Sequence, residues 1–158
     1  MTRPARIMAV ASAGGHWVQL QRLSAAWEGC AVTYVTTDPG LERVLPPPAS
    51  GMPPVRFRTV TEANRWKKRK LVRQMLEMAW IVLRTRPDAV ITTGAAPGYF
   101  ALRFGKMLGA RTVWIDSVAN AEEMSLSGRK IGRHADLWLT QWEHLARPDG
   151  PRYLGTVL

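Results

Sequence analysis

Short, apolar, strand-like runs recur along the chain at 7–11, 31–36, 55–58, 89–92, 111–115 and 136–140, several of them apolar almost continuously. Longer stretches with helical periodicity lie between them, at about 16–27, 67–85 and 97–108. Runs this short and this apolar suit parallel strands covered on both faces. Strands alternating with helices predict an α/β fold with a doubly wound parallel sheet. A length of 158 residues suits one domain, 1–158, with a sizeable core, and no internal repeat breaks it. In such a sheet ligands gather beyond the carboxyl ends of the strands. The residues that follow each apolar run are therefore the candidates for function.

Two of those junctions have the chemistry of an anion site. Ile7-Met8-Ala9-Val10 leads into Ala11-Ser12-Ala13-Gly14-Gly15-His16, a strand, a glycine turn and the start of a helix. Backbone N–H groups point outward at such a helix start, and glycine leaves room for a phosphate. His16 at the lip can hydrogen-bond a ligand, move a proton near neutral pH, or cap its own helix. The second junction runs from Arg86-Pro87-Asp88 through Ala89-Val90-Ile91-Thr92 to Thr93-Gly94-Ala95-Ala96-Pro97. Pro87 ends the preceding helix, Thr93-Gly94 make the turn, and Pro97 fits the first turn of the next helix. Two helix starts on neighbouring strands would hold a diphosphate between them. Asp38, after the second apolar run, stands where a ribose-binding acid would sit in a nucleotide-dependent oxidoreductase. The first turn lacks the third glycine of that fingerprint, and Pro39 follows directly.

Charge narrows the partners. The net charge is +10, from 22 Lys and Arg against 12 Asp and Glu, which favours an anionic partner. The single cysteine, Cys30, excludes an intrachain disulfide and reads as a small apolar filler in a reducing compartment. No apolar run approaches the roughly 20 residues that span a bilayer, so any membrane contact is expected to be peripheral. Arg65, Lys67, Lys68, Arg69, Lys70 and Arg73 crowd the start of the 67–85 helix. Cations there oppose the helix macrodipole by about 0.3–1 kcal/mol each, so helix stability does not account for them. Leu71, Met75, Met78 and Val82 form an apolar stripe that Leu76, Trp80 and Leu83 widen. Three readings stand: a core helix with a solvated basic end, an interfacial helix on anionic lipid, or a nucleic-acid contact. No nucleic-acid motif accompanies the charge. For the basic cluster the lipid surface is the expectation. The proline-rich stretch 46–54 reads as a stiff surface connector.

Together these pieces resemble a known family. Gly14-Gly15-His16 with Gln19-Leu20 and Leu23 comes first, then Arg86-Pro87-Asp88 with Thr92-Thr93-Gly94-Ala95 and Gly105-Lys106-Met107-Leu108-Gly109-Ala110. Ile115-Asp116-Ser117, Ser125-Leu126-Ser127-Gly128-Arg129, Ala135-Asp136, Gln141-Trp142 and Tyr153-Leu154-Gly155 follow. In this order they resemble the acceptor-side subunit of split GT-B glycosyltransferases. That group includes the subunit of the dolichol-linked N-acetylglucosamine transferase that recruits its partner to the membrane, and bacterial relatives of capsule and exopolysaccharide pathways. The chain departs from it at Asp116, where the family usually carries Glu, and at Asn120, where it often carries Arg, so acceptor identity does not carry over.

The resemblance implies a Rossmann-like fold equivalent to the N-terminal half of a GT-B enzyme. It implies a partner chain that binds the UDP-sugar, a lipid-pyrophosphate acceptor held by this chain at the cytoplasmic membrane face, and no metal or cofactor. His16 is then the candidate general base or a binding group. Glu122 or Glu123 in the next loop are rivals for the proton, or merely solvated. Gly14, Gly15, Thr93, Gly94, Asp116, Ser117 and Asn120 are candidate substrate contacts, with an Asx-turn the plain alternative at Asp116-Ser117. His134 and His144 read as surface or cap residues. A partner-docking segment is expected at about 141–158, using Gln141, Trp142, Leu154, Val157 and Leu158, since its apolar residues would be stranded in water. A non-catalytic scaffold that anchors or enhances a partner enzyme is the main functional alternative.

Overall fold

The computed structural model describes residues 3–45, 47, 48, 51, 53–64 and 66–157. In chain order its elements are β1 (Arg6–Val10), α1 (Gly15–Arg22), β2 (Ala31–Thr36), β3 (Arg56–Thr59), α2 (Lys68–Thr85) and β4 (Ala89–Thr92). Then come α3 (Ala95–Met107), β5 (Arg111–Ile115), α4 (Leu126–Ile131), β6 (Leu137–Thr140) and β7 (Arg152–Tyr153). The strands make one seven-stranded sheet in the order β3-β2-β1-β4-β5-β6-β7, and every neighbouring pair is parallel. The chain builds outward from β1 to β3, then returns to the other side of β1 with β4. Ile7 lies beside Ala89 and Val10 beside Thr92, so the turns after β1 and β4 leave the sheet side by side.

The alternation of β1 explains the two layers. Met8 and Val10 join Met78, Ile81 and Val82 of α2 and Ala101 of α3 on one face. Ile7 and Ala9 join Trp17 and Leu20 of α1, with Trp27 and Tyr34, on the other. A smaller cluster, Leu102, Trp114 and Ile131, packs α3 and α4 onto β5. Helix α3 rides close on β4: a Cβ on Gly98 would stand 2.0 Å from Thr92 Oγ1, so no larger residue fits there.

Two acids staple the amino edge of the sheet. Asp88, just before β4, accepts from the Arg3 guanidinium at 2.9 Å and from the Arg6 main-chain N–H at 2.8 Å. The Arg3 and Arg6 side chains hold its carboxyl well below the usual carboxylate range. Asp136, just before β6, pairs with Lys106 and accepts from the N–H and hydroxyl of Thr112. Lys106 first, and then the Thr112 bonds against some burial, pull its pKa down.

The sheet and its main helices follow the pattern expected from the sequence, with four differences. The 16–27 stretch breaks at Leu23 into α1 and a 3₁₀ turn at Ser24–Trp27. Helix α3 starts at Ala95, ahead of Pro97, whose missing N–H falls in the unpaired first turn. The short elements α4 and β7 carry too few residues to show a period. The fourth difference concerns α2. Met78 and Val82 are fully buried, with Ile81 and Gln74 beside them, but Leu76, Trp80 and Leu83 are not core. A helix lying on a sheet buries one face, and these residues occupy the opposite one together with Val72. Leu76 is 61% exposed and Trp80 57%. Cys30 is half-buried against the α1-side core. Of the proline-rich connector, Pro46, Ala49, Ser50 and Met52 lie outside the described residues. Among the described residues no helix is long and apolar enough to cross a membrane.

Candidate functional site

The turns after β1 and β4 meet through His16. Gly14 precedes α1 with φ 84°, and Gly94 precedes α3 with φ 125°. Both conformations favour glycine. His16 Nδ1 lies 2.8 Å from the Thr93 carbonyl oxygen, and the Thr93 hydroxyl donates to the His16 carbonyl at 2.7 Å. A carbonyl oxygen only accepts, so Nδ1 carries a proton, and in the neutral form of the ring the lone pair lies on Nε2. The Nδ1–Cε1 edge of the ring lies close against Gly94, where a Cβ would stand 2.9 Å from His16 Cε1. The turn therefore needs glycine for its backbone angle and for the ring beside it.

His16 lines a cavity of about 600 Å³ at the carboxyl edge of the sheet. Its apolar wall is Leu71, Ala95, Ala96, Tyr99, Phe100 and Leu126. Its polar wall is Asn64, Ser117, Asn120, Ser125, Ser127 and Lys130. Thus the start of α3, the start of α2 and the loop after β5 converge on one histidine. The loop between β3 and α2 is pinned by α2 itself. Gln74 donates to the Thr61 carbonyl, the Glu77 carboxylate accepts from Thr61, and Asn64 caps the N–H groups of Trp66 and Lys67.

The loop after β5 hangs on a buried carboxylate. Asp116 is 2% exposed. Its Oδ1 accepts from Trp114 Nε1 and the Ser125 hydroxyl, and its Oδ2 from Asn120 Nδ2 and the Ser125 N–H. This fourfold engagement turns the Asp116 carboxylate inward, onto its own loop. It makes no Asx-turn, because the main-chain N–H it accepts belongs to Ser125, nine residues ahead. Ser117 supplies the local turn, accepting from the Ala119 N–H. The Ser117 oxygen also accepts from Gln19 Nε2. With both lone pairs engaged, the hydroxyl has its own proton to offer.

The other expected residues fall into groups. Gly14 and Gly15 are exposed at the start of α1, while Thr93 and Gly94 are buried beside the ring. Lys67, Lys68, Arg69 and Lys70 are exposed at the start of α2, where Arg73 pairs with Glu77 at 2.8 Å; Arg65 lies outside the described residues. Asp38 caps the 3₁₀ turn Pro39–Val44 by accepting from the Gly40 N–H. Glu122 and Glu123 are exposed, and Glu123 pairs with Arg129. His134 is exposed, and His144 bonds the Ala121 carbonyl at 2.7 Å.

At the C-terminal end, Trp142 is half-buried and donates to the Val118 carbonyl, Val157 is half-buried, and Leu154 is 64% exposed. Leu158 lies outside the described residues. Gln141, also expected in the docking segment, is 2% exposed and its side chain is hydrogen-bonded inside the fold. Sequence reasoning missed Asn64, Tyr99 and Lys130 as lining residues and Gln19 as a support. Only Gln19 carried a signal, standing three residues after His16 on the same helix face.

A family model described as "Oligosaccharide biosynthesis protein Alg14 like" matches residues 50–157. Among solved structures the chain is similar to MurG of Acinetobacter baumannii, at 15% identity and a TM-score of 0.72, over 98% of this chain and 46% of that one. It is also similar to UDP-N-acetylglucosamine 2-epimerase of Rickettsia bellii, at 15% identity and a TM-score of 0.63, over 90% of this chain and 40% of that one. The chain thus spans less than half the length of either, and at these identities the likeness is one of fold. The fold is the Rossmann-like sheet expected of the N-terminal half of a GT-B enzyme. No curated protein matches the chain.

Proposed function

Because this chain belongs to the Alg14-like family of oligosaccharide biosynthesis proteins, we propose that it is the acceptor-binding subunit of a heteromeric glycosyltransferase. A second chain, the C-terminal GT-B half, binds a UDP-sugar. This chain holds a lipid-pyrophosphate-linked acceptor for polysaccharide assembly of the exopolysaccharide or capsule type. The observation that carries the reading is the Nδ1 bond from His16 to the Thr93 carbonyl. It leaves Nε2 as an acceptor on a ring that lines the cavity.

The chemistry follows from that tautomer. The acceptor hydroxyl attacks the anomeric carbon of the sugar while His16 Nε2 takes its proton. The bond from that carbon to the diphosphate breaks, UDP leaves with the electron pair, and the configuration inverts. A base so placed contributes about 10²–10⁴ in rate. Holding a phosphate through Nε2 would require a second ring proton, since Nδ1 already donates, whereas taking a proton from a hydroxyl uses the neutral form of the ring. The starts of α1 and α3, side by side, suit the acceptor's pyrophosphate. Ser117 and Asn120 suit its sugar.

Peripheral attachment to a membrane, at its cytoplasmic face, is the role we assign to α2. Its basic start, Lys67 to Arg73, adjoins an outward face of Val72, Leu76, Trp80 and Leu83, with the Arg84 guanidinium 5.3 Å over the Trp80 ring. Burying a side chain of this kind is worth about 1.5–3 kcal/mol, and a bilayer interface with anionic headgroups supplies both halves of that contact. The cavity wall begins on the same helix at Leu71.

The scaffold reading keeps a place because a chain with less than half the span of its structural neighbours need supply no catalytic group. Titration against the donor-binding chain tests the two-chain reading. Sugar transfer should be absent with either chain alone and should saturate at a fixed ratio of the two. Full transfer by the partner alone would overturn it.

A further inference from the structure

We infer that Gln141 is a positioning residue, through which the C-terminal segment sets the cavity loop that faces His16. The inference rests on the two-chain reading above for its functional meaning, but not for its wiring.

Gln141 follows β6 directly and is buried. Its side-chain Nε2 spends both hydrogens inward, on Gln19 Oε1 at 2.6 Å and on the Asp116 carbonyl at 2.9 Å. Its Oε1 accepts the Val157 N–H at 2.8 Å, and its main-chain oxygen accepts the Thr156 hydroxyl at 2.9 Å. Gln19 continues the path. Its Oε1 accepts the Val118 N–H at 3.1 Å, and its Nε2 donates to the Ser117 hydroxyl oxygen at 3.0 Å. Ser117 lines the same cavity as His16.

The polarity of this path is not free. A main-chain N–H can only donate and a main-chain carbonyl can only accept. The Val157 N–H therefore fixes Gln141 Oε1 toward the C-terminal segment, and the Asp116 carbonyl fixes Nε2 inward. The Val118 N–H fixes Gln19 Oε1 in turn, which leaves Gln19 Nε2 for Ser117. Turning over either amide would set oxygen against oxygen or hydrogen against hydrogen. A segment seated through Val157 thus holds Gln141 in the one orientation that supports residues 116–118. Leu154 stands exposed on that same segment, so whatever covers the segment bears on the loop as well.

Amide hydrogen exchange on the whole chain tests the wiring without partner or acceptor. Val157→Pro removes the one N–H that orients Gln141, Gln141→Met removes the amide at similar volume, and Val157→Ala keeps the N–H. The first two should speed exchange at Val118 by roughly tenfold, the scale of one buried hydrogen bond, while exchange in β1 stays within about twofold. Val157→Ala should leave both unchanged. Exchange at Val118 unaltered in Val157→Pro, or raised only in step with β1, overturns the inference whatever the activity proves to be. In the assembled enzyme, Gln141→Met should raise the acceptor KM by about tenfold and leave the nucleotide-sugar KM unchanged, whereas a smaller folded fraction would lower kcat alone. An unchanged acceptor KM overturns the positioning role.

Discussion

At the scale of single residues, the site is a contact between two glycine turns. His16 belongs to one and Gly94 to the other, and Thr93 bonds the histidine at both its ring and its carbonyl. Gly94→Ala should be felt twice. The backbone stands at φ 125°, and the new Cβ would stand 2.9 Å from His16 Cε1. We expect a loss of about 1–3 kcal/mol of stability, read by urea unfolding, together with a displaced ring; a loss within error would contradict the close contact between ring and turn. The glycines and His16 were legible because each turn follows an apolar run, and that order places them at a strand end. Asp116 was legible as a residue of the right loop but not as its buried anchor, since its partners depend on how the loop folds back. Gln141 and Gln19 were illegible as a pair. They stand far apart in sequence, and nothing local to either announces the other.

At the scale of elements, α2 decides most. Its sequence is apolar nearly all round in its second half, so periodicity could not say which face meets the sheet. Packing chooses Met78, Ile81 and Val82, and leaves Val72, Leu76, Trp80 and Leu83 outside. The cations at its start work against the helix macrodipole, which separates membrane binding from helix stability experimentally. Replacing Lys67, Lys68 and Lys70 together by Gln should weaken partition onto vesicles containing anionic lipid by about 100-fold, at roughly 1 kcal/mol per charge. The same variant should unfold no earlier than the parent on heating, because each removed cation relieves about 0.3–1 kcal/mol. Unchanged partition would refute the lipid reading. The elements that escaped the sequence were the short ones. Helix α4 is announced only by Ser125, which caps it by accepting from the Gly128 N–H, and β7 by nothing but its pairing with β6.

At the scale of the whole molecule, the sheet separates stability from chemistry. The acids of its amino edge, Asp88 and Asp136, are structural, while the carboxyl edge holds the cavity. Because Asp88 ionises more readily folded than unfolded, its contribution is present above the ordinary carboxylate pKa of about 3.9 and lost as pH falls below it. Asp88→Asn should therefore lower Tm at neutral pH, with the gap closing on acidification toward about pH 2. A gap that persists in acid would assign the effect to something other than the charge. The parallel sheet and its order around β1 are the part of this molecule that its apolar runs foretold most fully, because strand length and helix spacing leave few other architectures open. On the two-chain reading proposed above, what lies beyond the sheet edge belongs to a second chain, and no pattern within this one describes it.

In the function proposed above, His16 is the base of an active site shared by two chains. The most direct measurement is the turnover of the assembled two-chain enzyme carrying His16→Ala. We expect a fall in kcat of about 10²–10⁴ with assembly intact. Turnover close to that of the parent would contradict it, and would leave this chain the role of a scaffold.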